Sequence, residues 1–117
     1  MTKTRRGEVV LVLFPNSDLR TAKRRPALVI QRNDLNSGVA QTIVAMISSN
    51  LARRGHPSRL FVDLNSAEAK TAGLRLDSVI MMDNLATVLD SEIDCVLGHF
   101  PKMEAMDAAL KHTLDLH

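Results

Sequence analysis

The sequence predicts a mainly β fold with helices, in which a small barrel or sandwich of short antiparallel strands is closed by a C-terminal helix. Three observations predict it. Four apolar runs of strand length, rich in Val, Ile and Leu, fall within residues 8–64 and are bounded by turn-forming clusters. Near the C-terminus the hydrophobic spacing changes to intervals of three and four. The 117 residues contain no internal repeat, low-complexity segment or linker-like stretch, so residues 1–117 read as a single domain, large enough to bury one core.

Taken in order, the first strand is Glu8 to Phe14, closed by the turn Pro15-Asn16-Ser17-Asp18. The second is Ala27 to Gln31, directly behind the cationic stretch Lys23-Arg24-Arg25-Pro26. Asn33 to Gly38 turns the chain into a third strand, Gln41 to Ile47, and Gly55-His56-Pro57-Ser58 into a fourth, Arg59 to Leu64. Ser78 to Met82 and Ala86 to Leu89 form two further short strands with Asp83-Asn84 between them. Continuous rather than alternating apolarity indicates that some strands are covered on both faces. Asp90 then caps a short helix that places Ile93, Val96 and Leu97 on one side and stops at Gly98. Pro101 suits the first turn of a longer helix carrying Met103, Met106, Leu110 and Leu114, a stripe suited to packing rather than to a cofactor.

The net charge of +2 conceals a split. Residues 1–59 carry eleven Lys and Arg against three Asp and Glu, whereas residues 60–117 carry four against ten. A basic half that also holds the loops points to an anionic partner such as nucleic acid, and an acidic half to a solvated face or a dimer surface. Cys95 stands alone, no basic-then-apolar leader opens the chain, and the run Val9 to Phe14 is too short to span a bilayer. These features predict a cytoplasmic protein without membrane partners. No Cys/His cluster has zinc spacing, and no glycine-rich phosphate loop, G-x-S-x-G or HExxH occurs, so neither a metal nor another cofactor is expected.

Arg25 is the leading candidate for chemistry. Pro26 fixes its own φ and pushes Arg25 toward an extended conformation, which holds a guanidinium at the rim of a strand. A planar, permanently charged fork suits a phosphoryl transition state. The competing structural role is an ion pair with an acid such as Glu8 or Asp83. The third run ends in Ser48-Ser49-Asn50, where a hydroxyl can donate to an anionic oxygen or simply belong to a turn. His56 lies in the basic loop with Arg53 and Arg54, where nucleic acid could reach all three, although a lone loop histidine is ordinarily solvated.

With these residues in place, the sequence resembles the MazF/PemK family of toxins from bacterial toxin-antitoxin systems. The resemblance runs through Arg6-Gly7-Glu8-Val9-Val10, Arg25-Pro26-Ala27-Leu28-Val29-Ile30 and Ile43-Val44-Ala45-Met46-Ile47-Ser48, then Asp77-Ser78-Val79-Ile80 and Leu85-Ala86-Thr87-Val88-Leu89-Asp90. It implies an SH3-like barrel, a homodimer, and a metal-independent endoribonuclease cutting single-stranded RNA, usually mRNA, at short motifs. It also implies a cognate antitoxin whose extended C-terminal segment blocks the RNA groove, with DNA reached only through that antitoxin. The arginine of the R-P pair, here Arg25, is catalytic in the family, and the hydroxyl ending the next strand, here Ser48, assists at the scissile phosphate. Asp83 matches an acidic residue of some relatives that could orient Arg25 or accept the 2′-hydroxyl proton. Asn16, Lys23, Arg24, Arg53, Arg54 and His56 are the expected RNA contacts, with Lys23 and Arg24 on the edge of a loop.

The chain also departs from the family pattern. Arg20, Thr21 and Lys23 replace a Glu-Gln pair and a glycine ahead of the R-P pair, Met81 stands where some relatives place a catalytic arginine, and Ala86 replaces a common arginine. These departures motivate an alternative, a noncatalytic member that binds RNA or a partner protein without cleavage. A DNA-binding regulator is less attractive, because the long final helix carries Glu104, Asp107 and Asp115 rather than a basic recognition surface. With three Phe and no Trp or Tyr, any selectivity for RNA has to come from hydrogen bonds and groove shape rather than stacking.

Overall fold

Strand β1 (Glu8–Pro15) lies between β2 (Ala22–Val29) and β6 (Ile93–His99) in a six-stranded antiparallel sheet that also contains β3 (Gln41–Ser48), β4 (Arg59–Val62) and β5 (Ser78–Leu89), in the order β4-β5-β3-β2-β1-β6. The computed structural model describes residues 3–15 and 20–117. Two helices accompany the sheet, α1 (Ala67–Ala72) and α2 (Met103–Leu114). The mainly β architecture with a closing C-terminal helix is the one the sequence predicts. Its barrel is an open one, because β4 and β6 remain edges and helices rather than ladder bonds complete the enclosure.

Apolar side chains alternate between two cores, which explains the continuous apolar runs. On one face Val9, Leu28, Ile30, Ala45, Ile47, Ile80 and Met82 pack beneath Ala69 and Ala72 of α1 and Met106 and Ala109 of α2. On the other, Val10, Val12, Ala27, Val29, Val44, Val88 and Ile93 form a smaller cluster. Leu28 and Ile80 are wholly buried, each worth roughly 1.5–3 kcal/mol in transfer free energy. Arg6 fastens the assembly: its Nε donates to the Ile30 carbonyl at 3.0 Å and its Nη2 pairs with Asp107 of α2.

Three elements differ from the sequence expectation. Strand β2 begins at Ala22, five residues before the predicted start, so Lys23, Arg24 and Arg25 lie within a strand rather than on a loop edge, paired with Phe14, Leu13 and Val12 of β1. Pairing with β3 covers only Ala27 to Val29, leaving the cationic half of β2 open on that side. The two short strands expected around Asp83-Asn84 are one strand, β5, whose register against β3 passes from Met46↔Met81 to Ala45↔Leu85 and so accommodates an irregularity at residues 82–84. The short helix expected after Asp90 is a 3-10 turn, Asp90–Glu92, followed by β6. Two register shifts between β1 and β6 break the period of two, which gives Ile93, Val96 and Leu97 a helix-like spacing in an extended segment.

Helix α1 has no counterpart among the sequence expectations, although its signals are local: Ser66 accepts from the Ala69 amide at 3.2 Å, and Gly73 ends the helix in the left-handed region. Among the described residues no helix is long and apolar enough to cross a membrane.

Candidate functional site

Where β2 and β3 part, they leave a groove of about 980 Å³. The last ladder pair is Ala27↔Met46; continuing that register sets Arg25 against Ser48, with no pairing recorded between them. Pro26 has no N–H to contribute to a ladder. The half of β2 that pairs with β1 but not with β3 therefore presents Lys23, Arg24 and Arg25 along one wall, and the end of β3 supplies Met46, Ser48, Ser49 and Asn50. Met81 of β5, paired with Met46, completes an apolar floor.

The electrostatics of this groove are one-sided. Lys23, Arg24, Arg25, Arg53 and Arg75 all line it, and among the described residues no Asp or Glu does. Arg25 is exposed and makes no ion pair among the described residues. The acids proposed as its structural partners are occupied elsewhere: Glu8 accepts from the Arg5 amide, and Asp83 holds Arg59. Arg24 pairs with Asp94 across the sheet at 3.1 Å, so its charge is partly compensated. The Ser48 hydroxyl oxygen accepts from the Asn50 amide at 3.0 Å, leaving the hydroxyl hydrogen to donate into the groove. An anion entering here meets a preoriented hydroxyl and a wall of guanidinium groups.

The other expected residues are distributed differently. Asp83 does not line the groove; its carboxylate accepts from Nη2 of Arg59 at 2.8 Å and from Nε at 3.2 Å, and this hydrogen bonding holds its pKa below the ordinary carboxylate value. Arg54 lies over the Phe61 ring, 5.7 Å from its centroid. His56 accepts from the Ser58 amide at 3.0 Å through Nδ1 and packs edge-on against His112. Neither Arg54 nor His56 lines the groove. Ala86 pairs with Val44 and packs on the smaller core. Asn16 falls outside the described residues.

Sequence reasoning missed Arg75 and Asn84. Arg75 reaches the groove from the connection between α1 and β5, and Asn84 from the β5 irregularity. The signal for Arg75 was the Ser66 and Gly73 caps, which fix where the chain leaves α1; Asn84 had none, because its placement depends on the register of β3 against β5. Among the described residues no group of three or more His, Cys, Asp or Glu converges as a metal site would require.

Known proteins resemble the chain in sequence and in fold. The endoribonuclease MazF2 of Mycobacterium bovis is 36% identical over 107 residues, covering 89% of this chain and 90% of the relative. The endoribonuclease MazF6 of Mycobacterium tuberculosis matches to the same extent. Among solved structures, an endoribonuclease in complex with its cognate antitoxin from a mycobacterial species superposes with a TM-score of 0.75 at 20% identity, covering 98% of each chain. A MazE-MazF structure from Deinococcus radiodurans superposes with a TM-score of 0.74 at 18% identity, covering 100% of each chain. At such identities the superpositions establish the fold. A family model matches residues 5–114, a span from Arg5 through both walls of the groove to the end of α2, and with it the chain belongs to the PemK-like, MazF-like toxins of type II toxin-antitoxin systems.

Proposed function

We propose that the chain is the toxin of such a pair, an endoribonuclease that cleaves single-stranded mRNA at short sequence motifs, with Arg25 and Ser48 carrying the chemistry in the cationic groove. The observation that carries this reading is the groove itself: five cations and a donor hydroxyl converge where two strands separate, no Asp or Glu among the described residues lines it, and only Arg24 of the five pairs with a described carboxylate, that of Asp94. A polyanion supplies the missing charge.

In the reaction the RNA 2′-oxygen forms a bond to the adjacent phosphorus as the bond from phosphorus to the 5′-oxygen breaks. The products are a 2′,3′-cyclic phosphate and a 5′-hydroxyl. Arg25 neutralises the charge gathering on the phosphorane, and Ser48 donates a hydrogen bond to a nonbridging oxygen. The high intrinsic pKa of a guanidinium suits charge neutralisation better than proton release, so the 2′-hydroxyl gives its proton to water and the 5′-oxygen takes one from water. Lys23 and Arg75 grip the flanking phosphates.

The protein acts as a homodimer on cytoplasmic mRNA and is held inactive by a cognate antitoxin whose acidic, extended segment occupies the groove. DNA is contacted only through that antitoxin. Solved relatives with antitoxin bound support this partnership.

The test is incubation of the purified chain with a defined RNA in EDTA, with the end groups of the products identified. Cleavage to cyclic phosphate and 5′-hydroxyl ends is expected, and Arg25→Ala should reduce the rate by about 10²–10³-fold. Salt-dependent RNA binding without cleavage, or an Arg25→Ala protein that cuts as well as the parent, would refute the reading.

A further inference from the structure

The geometry points to Arg53 as a second phosphate-engaging guanidinium of the same groove, aimed by an Asp83–Arg59 clamp; the inference rests on the endoribonuclease reading above. Arg53 ends the 3-10 turn Leu51–Arg53 that follows β3, and its Nη1 contacts the Met81 sulfur at 3.5 Å on the groove floor. A thioether is a weak acceptor, so this contact orients the guanidinium while leaving its N–H groups available to a stronger anionic one.

The two guanidinium groups straddle β3. Arg25 projects from β2, one strand spacing to one side of the β3 end, and Arg53 lies over Met81 of β5, one spacing to the other. Two spacings amount to about 10 Å, which two long side chains approaching from opposite sides can bridge over a phosphoryl group held at Ser48.

Arg59 has a different part. Its Nε and Nη2 are bound by Asp83, and its Nη1 donates to the Arg53 carbonyl oxygen at 3.0 Å, so its three nitrogens are committed within the protein. On the other side of the turn, the Asn50 side chain accepts from the Ala52 amide at 3.1 Å, and the Asn50 amide donates to Ser48. Continuous hydrogen bonding therefore runs from Ser48 through the turn to Asp83 and fixes the Arg53 backbone relative to the Ser48 hydroxyl. Asp83 is a positioning residue that acts through Arg59 on Arg53, not on Arg25.

The deciding measurement is single-turnover cleavage of a defined RNA, together with the affinity for the same strand carrying a 2′-deoxy substitution at the cleavage site. It is made on the full chain and on Arg53→Ala, Arg53→Lys, Asp83→Asn and the Arg53→Ala/Asp83→Asn double variant, each shown to fold by its unfolding transition. Arg53→Ala is expected to slow the chemical step by about 100-fold while weakening binding less than tenfold, with partial recovery in Arg53→Lys. Asp83→Asn is expected to slow it by about tenfold alone and by nothing further in the Arg53→Ala background, because coupled residues are not additive. An undiminished rate in folded Arg53→Ala, a loss of affinity alone, or an Asp83→Asn effect that persists without Arg53 overturns the inference while leaving the endoribonuclease reading intact. A parent chain that cleaves no RNA overturns both.

Discussion

Asp83 and Arg59 face each other across β4 and β5, and their pairing has a consequence for stability as well as for aim. Hydrogen bonding from Arg59 lowers the Asp83 pKa, and the same bond raises that of Arg59. A carboxylate with a depressed folded-state pKa stabilises the fold fully above its unfolded-state value near 4 and loses that contribution as pH falls through the lower folded-state value. Asp83→Asn should therefore lower the melting temperature at neutral pH, and the difference from the parent should shrink as pH falls from about 5 toward 2. Thermal unfolding across that range checks it; a constant difference would show that the carboxylate charge contributes nothing. The pair is partly solvated, so the effect is modest. That Arg25 and Ser48 stand where a groove can form was legible because Pro26 and a strand end are local features. The partner of Asp83 was not, because Arg59 is 24 residues away and meets it through the register of β4 on β5.

The elements most easily read were those whose periodicity is undisturbed, and β6 shows what disturbance does. Its bulges against β1 removed the alternation, so Gly98 read as a helix terminus. In the structure Gly98 pairs with Val9 and lets α1 approach: a Cβ there would collide with the Thr71 carbonyl oxygen and the Ala72 backbone, and one on Gly73 would collide with the Leu97 carbonyl. Close passage of α1 over β6 thus depends on two glycines 25 positions apart. No reading of either segment alone reveals it. Gly98→Ala should destabilise the fold by about 1–3 kcal/mol, the usual range for overpacking against a rigid neighbour. Urea denaturation would show a lower midpoint with an unchanged slope, whereas an unchanged midpoint would mean that α1 shifts freely to make room. Because Gly73, Leu74, Arg75 and Leu76 all line the groove, such a shift would also alter RNA affinity.

At the scale of the molecule, the charge split gathers its meaning from topology. Of the eleven cations in residues 1–59, Lys23, Arg24, Arg25 and Arg53 reach the groove, because β2 and the turn after β3 flank the same opening; Arg75 joins them from the acidic half. Composition forecast an anionic partner for the first half, but not which cations would meet it, since that depends on the strand order β5-β3-β2. The excess is local, so the salt dependence of binding should be local too. Each phosphate neutralised on a single strand contributes about −0.7 to the slope of log affinity against log salt concentration, and five contacts would give about −3.5. Lys23→Ala should make that slope shallower by about 0.7, whereas Lys70→Ala, which removes an exposed charge on α1 outside the groove, should leave it unchanged. Titration of a noncleavable 2′-deoxy strand at several salt concentrations distinguishes the two. Equal changes in both variants would mean that RNA responds to the overall charge of the protein rather than to the groove, and the paired-strand opening would lose its claim to be the binding site.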